Sequence, residues 1–153
     1  MNWEPNIIAA TTEIFSTMLM MEVVPEPALS ERVTKHNDSI SGIIGLAGSY
    51  KGMLAIHAPA PVAMTITTNF LGMEVDSLND DVKDAFGELA NMLGGSVKSG
   101  LSENSRDIQL SIPSAVCGEE YTLDYQPKNR TTSVPFKTGE GTFVVELQLE
   151  KQE

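Results

Sequence analysis

Basic side chains are scarce in this chain. Ten Lys and Arg stand against 21 Asp and Glu in 153 residues, a formal net charge of -11. Such a surface repels phosphate backbones and anionic headgroups, so nucleic acid and membrane surfaces are not expected as partners. Cysteine is nearly missing: Cys117 stands alone, and His36 and His57 lie far apart without the spacing of metal ligands, which argues against a zinc or Cys/His catalytic site. Long apolar runs are absent too. None approaches the roughly 20 residues of a membrane span, and "MNWEPNIIAATTEIF" lacks the basic start and continuous apolar core of a signal peptide. A cytoplasmic location is therefore expected. Aromatics are few, and Trp3, Tyr121 and Tyr125 are scattered, as core residues are more often than interface residues. No linker or charge block divides the chain. Its length suffices for a hydrophobic core without disulfides or metal, and residues 1–153 are expected to form one domain.

What is present is organised by hydrophobic period. Ile7, Ile8, Ile14, Phe15, Met18 and Leu19 follow helical spacing behind Pro5, predicting a helix from Pro5 to about Met21 that ends near "VVPEP". Short apolar groups follow and read as three strands, broken by Asn37-Asp38, read as a turn, and by "GSYKG", read as a hairpin. That hairpin explains "GLAGSYKG" better than a phosphate loop, whose spacing it lacks. "APAPVAMTITTNFLG" reads as helical after Pro61, with Thr and Ile content that lets a strand compete. The tail reads as strands: "RDIQLSIPSAVCG", "EEYTLDYQ", "TTSVPFKTG" and "GTFVVELQLE", the last two joined through Gly139, Glu140 and Gly141. "YKGMLAIHAP" and "GEGTFVVELQ" both put a glycine turn before an apolar strand, so a duplicated helix-plus-sheet unit is expected.

The chemistry concentrates in "DDVKDAFGELANMLGGSVKSGLS". With Asn79 or Asp80 as cap and acids in the first turn, it reads as an amphipathic helix. At about 100° per residue, Val82, Phe86, Leu89, Leu93 and Val97 share a core face. Asp84, Glu88, Asn91 and Gly95 gather opposite, with Gly87, Gly94 and Lys98 towards one flank, and Glu88 and Asn91 are neighbours at i and i+3. Each interior glycine costs about 1 kcal/mol relative to alanine. One reading is that bare backbone leaves Asn91 open to something docking closely. The plainer reading is that Gly94-Gly95 ends the helix and that Glu88 and Asn91 are merely solvated.

Asp84-x-x-x-Glu88-x-x-Asn91, then "GG", then Pro113 in "SIPSAVCG", resembles the signature of the CheC/CheX/FliY chemotaxis phosphatases. "GELANMLGG" is close to the CheX branch, and "IPSAVCGEEYTL" resembles the strand that follows its active helix. The resemblance implies an α/β fold with two long helices on an antiparallel sheet and a pseudo-twofold internal repeat. It also implies hydrolysis of the aspartyl phosphate of a CheY-type response regulator. On that reading Asn91 orients the attacking water and Glu88 pairs with the partner's lysine. Asp84, Gly95, Lys98 and Pro113 are expected to contact the partner or shape the site. No cofactor of its own is implied, Mg2+ belonging to the partner's acidic pocket, and a homodimer is expected. Glu13 and Ser16 hold the same register on the first helix but lack the carboxamide, which reads as a degenerate copy. Met18, Met20 and Met21 beside it are expected in core or dimer packing. The alternative function is a receiver-binding adaptor without catalysis. A structural subunit of the flagellar switch is a third reading.

Overall fold

The computed structural model describes residues 2–101, 107–123 and 131–152. In chain order these form α1 (Glu4–Met18), β1 (Val24–Pro25), β2 (Lys35–Gly48), β3 (Tyr50–Pro59), α2 (Ala60–Leu71), α3 (Asp80–Leu101), β4 (Ile108–Leu110), β5 (Ser114–Thr122), β6 (Thr131–Thr138) and β7 (Gly141–Lys151). One antiparallel sheet of seven strands has the order β1-β6-β7-β3-β2-β4, with β5 also paired to β2. This mixed α/β architecture is the one expected.

The helices bury one face of the sheet. Val82, Phe86, Leu89, Leu93 and Val97 of α3 join Ile40 and Ile44 of β2 and Leu54 and Ile56 of β3 in a single hydrophobic cluster. From α1, Phe15 stacks on Phe143 of β7 at 4.7 Å between ring centroids. Close packing needs bare backbone where α3 crosses β2: a Cβ at Gly42 would collide with the Phe86 carbonyl. Alternate strand residues point to the other face, and several of those are polar and buried, namely Ser41, His57, Ser133 and Glu146. Residues 26–34 run across this second face from β1 to β2, tied down by Leu29 N–H to the Ser133 carbonyl (2.8 Å).

Four local expectations need correction. The first helix stops at Met18 rather than near Met21, because Met20 turns left-handed (φ 54°) and the Met21 N–H returns to the Phe15 carbonyl at 2.9 Å. That is a helix-ending motif built without glycine. Asn37-Asp38 is no turn. Both lie inside β2, with the ladder to β5 running past a single left-handed Asp38 (φ 44°). Gly94-Gly95 does not end α3, which continues to Leu101. Finally, "SAVCG" and "EEYT" belong to one strand, and the interruption falls earlier, at Ser111–Ile112–Pro113. The hairpins at Ser49 and at Gly139-Glu140 are as read from the sequence.

Candidate functional site on helix α3

Helix α3 is capped by Asn79, whose side-chain Oδ1 accepts from the Val82 N–H at 3.1 Å. Asp80 and Asp81 sit in the first turn and Lys98 in the last, matching the helix dipole at both ends. With the apolar stripe buried against the sheet, Asp84 and Glu88 emerge into solvent, while Asn91, Gly95 and Lys98 are half-buried further along the helix. Asn91 lies three positions on from Glu88, a rise of about 4.5 Å on one face. Among the described residues no hydrogen bond or ion pair engages either side chain. Both are free to serve a group that arrives from outside.

The glycines divide into two kinds. A Cβ at Gly95 would meet nothing within 4 Å, so there the bare backbone leaves open space beside Asn91. Gly94 instead is buried, and a Cβ would sit 3.0 Å from the Ile44 side chain. Gly87 is also buried, facing Pro113, with 3.9 Å available to a Cβ. Helix-to-sheet packing thus accounts for Gly94, whereas no packing contact accounts for Gly95.

A shallow open groove runs between helix and sheet edge. Lys83, Asp84, Gly87 and Glu88 form one wall and Pro113, Ser114 and Ala115 the other. The structure therefore brings Asp84, Glu88 and Pro113 together, while Asn91, Gly95 and Lys98 continue the same helix outside the groove. Lys83 and Ser114 also line this groove, and their types carry no signal at their spacing in the sequence. The site is a surface rather than an enclosed cavity, unlike small-molecule sites. Among the described residues, no three His, Cys, Asp or Glu side chains assemble as a metal site.

The corresponding stretch of α1 differs. Glu13 and Ser16 are exposed, but the Ser16 hydroxyl donates to the Glu13 carbonyl at 3.1 Å, within its own helix. No carboxamide stands in that register. Met18 and Met20 are exposed, Met20 by 84 %, so core packing is corrected for both, and only Met21 packs against the core.

A second polar constellation was invisible in the sequence. His36 and His57, far apart along the chain, stack at 4.5 Å, and His36 also stacks on Tyr121 at 5.2 Å. His57 Nδ1 lies 2.6 Å from the Ser41 hydroxyl and Nε2 3.2 Å from Glu146 Oε1, while the Tyr121 hydroxyl is 2.9 Å from Ser41. Arg32 grips the same carboxylate with Nε at 2.8 Å and Nη2 at 3.0 Å, and Ser133 donates at 2.9 Å. Despite the Ser-His-Glu sequence of contacts, Ser41 is fully buried and shares its hydroxyl with Tyr121, so no substrate reaches it. Burial raises the Tyr121 phenol above its ordinary value, with the Ser41 hydrogen bond opposing. Trp3 lies in the core, edge-on to Tyr50 at 5.7 Å; Tyr125 falls outside the described residues.

Fold and site together define an α/β protein with a carboxylate and a carboxamide one turn apart on α3, beside an open groove. Residues 40–137 match the family described as Chemotaxis phosphatase CheX, and the chain belongs to that family. It is similar along its length to the chemotaxis protein CheX of Vibrio vulnificus (27% identity, TM-score 0.83, covering 95% of this chain and 97% of that one). A CheX of Desulfovibrio desulfuricans gives 29% identity and a TM-score of 0.83, over 95% and 97% of the two chains. The Borrelia burgdorferi structure of a CheX-CheY-BeF3-Mg2+ complex shares the fold at 18% identity and a TM-score of 0.78, over 98% and 99%. No protein of curated function matches the sequence.

Proposed function

We propose that this protein hydrolyses the aspartyl phosphate of a CheY-type response regulator and that Asn91 and Glu88 carry the reaction. The observation that carries the reading is the pair itself: a carboxamide and a carboxylate one turn apart, unengaged among the described residues and beside the open backbone of Gly95. An acyl phosphate is already activated, so its hydrolysis needs an in-line water and charge stabilisation more than a strong base. The Asn91 oxygen accepts from the water while its amide donates. The water oxygen attacks phosphorus, the aspartyl carboxylate leaves, and inorganic phosphate is released. Glu88 pairs with a cationic group of the receiver and sets the register of docking. Asp84, Gly95, Lys98 and Pro113 make the surrounding contacts.

Mg2+ belongs to the receiver's acidic pocket, as it is named with the Borrelia complex, and this chain contributes no cofactor. Residues 1–153 act as one cytoplasmic domain built from a duplicated unit, and the working form is a homodimer. The test is the dephosphorylation rate of purified phosphorylated regulators with the wild-type chain and with Asn91→Ala. The expected outcome is acceleration by the wild type, lost by about a hundredfold or more in the variant, with binding retained. Binding without any acceleration by the wild type would instead establish an adaptor.

A further inference from the structure

The edge of the sheet beside the site carries an irregularity that packing does not explain. β4 and β5 both pair with β2, so they form one interrupted edge: Leu110 lies opposite Leu46 and Ser114 opposite Ile43. Between these pairs the edge has three residues, Ser111, Ile112 and Pro113, where β2 has two, Ile44 and Gly45. One residue is therefore extra, which makes this a β-bulge. Bulges re-aim side chains, and here the side chain turned out is Ile112, 90 % exposed, the most exposed large hydrophobic of the described residues.

Single exposed apolar residues are common on protein surfaces. Ile112 differs in being held still. Ser111 on one side is fixed to β2 twice, its N–H donating to the Gly45 carbonyl at 2.9 Å and its hydroxyl accepting from the Gly45 N–H at 2.8 Å. The same hydroxyl donates to the Ile112 carbonyl at 3.2 Å. On the other side Pro113 packs towards Gly87 and confines the backbone of the residue before it. Ile112 is itself β-branched and stiff at χ1. An apolar group with so little freedom left to lose gains more on binding than a floppy one does.

Its position joins it to the candidate site. Pro113 lines the groove with Asp84 and Glu88, and Ile112 is the next residue outward. We propose that Ile112 is a docking residue: a preorganised apolar knob that seats on an apolar patch of the response regulator's receiver domain, beside the pocket that Glu88 and Asn91 enter. This rests on the function proposed above. In this arrangement the polar pair performs the chemistry and Ile112 contributes affinity and selects among receivers.

Steady-state dephosphorylation of a phosphorylated receiver, with thermal melting alongside, tests this with Ile112→Ser and Ile112→Val. The expected result for Ile112→Ser is a KM raised about tenfold or more, as befits one aliphatic side chain lost from an interface. The rate at saturation and the melting temperature stay at the wild-type level, and Ile112→Val restores most of the affinity. If the wild type accelerates hydrolysis and Ile112→Ser shows KM within twofold of it, Ile112 is only an exposed residue and the docking role falls while the phosphatase reading stands. If the wild type accelerates nothing, the phosphatase reading and the docking role fall together.

Discussion

Glu146 sits 2 % exposed in the middle of β7, where a carboxylate is tolerable only with its charge matched and its oxygens satisfied. Arg32, Ser133 and His57 supply the match, and Arg32 comes from the crossing segment rather than from the sheet. That guanidinium therefore adds a charged anchor for residues 26–34 on the helix-free face, beside the backbone bonds of Glu26 and Leu29 to β6. Replacing it by an apolar group strands a buried negative charge, so Arg32→Met is expected to destabilise the fold by about 3–5 kcal/mol in urea unfolding. Arg32→Met with Glu146→Leu should cost clearly less than the single change, since no charge is then left unpaired. Equal losses in the two proteins would show that packing of the arginine stem, not the ion pair, holds the segment. The contrast between Asn91 and Ser16 has the same scale. One side chain presents donor and acceptor to the outside, whereas the other spends its hydroxyl on its own helix.

Among elements, α3 links the core to the site. Its inward stripe was legible in the sequence, because five apolar residues at helical spacing leave one face no alternative to burial. Its outward residues were legible for the same reason. The roles of its glycines were not. Gly94 and Gly95 are adjacent and identical, and only the position of Ile44 of β2 tells the buried one from the open one. A paired test separates packing from openness. Gly95→Ala adds a Cβ where nothing lies within 4 Å and is expected to stabilise by up to about 1 kcal/mol through helix propensity. If a receiver docks closely there, KM rises as stability does. Gly42→Ala, which drives a Cβ into the Phe86 carbonyl, is expected to cost about 1–3 kcal/mol or more and to displace the whole helix. Denaturation midpoints and phosphatase rates measured on both variants decide this. The bulge at Ile112 escaped the sequence because "RDIQLSIPSAVCG" reads as one strand; register against β2 is a tertiary fact, as is the turn-like Asn37-Asp38 being absorbed into a strand.

For the molecule as a whole, with the three-residue β4 set aside and β5 taken as the edge partner of β2, the strand order maps onto itself when β1, β2 and β3 exchange with β5, β6 and β7. That symmetry supports the duplicated unit proposed from the two glycine-turn strands, with β3 and β7 paired at its centre. On the second face the polar network joins both units, with Ser41 and His57 on β2 and β3 and Ser133 and Glu146 on β6 and β7. His36 lies there, 7 % exposed, stacked on His57 and Tyr121 and near Arg32 and Glu146, with its Nε2 lacking a partner among the described residues. Burial first, then His57, lower its pKa from 6.5 to about 4, with Arg32 adding to the effect and Glu146 opposing it. The unfolded chain thus takes up a proton near pH 6.5 that the folded chain refuses until about pH 4. Protonation favours unfolding across that interval, and stability falls as pH drops through it, by a few kcal/mol at most, and is fully present above it. Urea unfolding at pH 7 and pH 4.5 should show the loss in the wild type and a smaller one in His36→Phe, which cannot take up that proton. The acidic surface works in the opposite sense, since protonating carboxylates relieves the repulsion of a -11 chain. The comparison between the two proteins cancels that common contribution, so an equal loss in both would place the acid sensitivity elsewhere than in this buried ring.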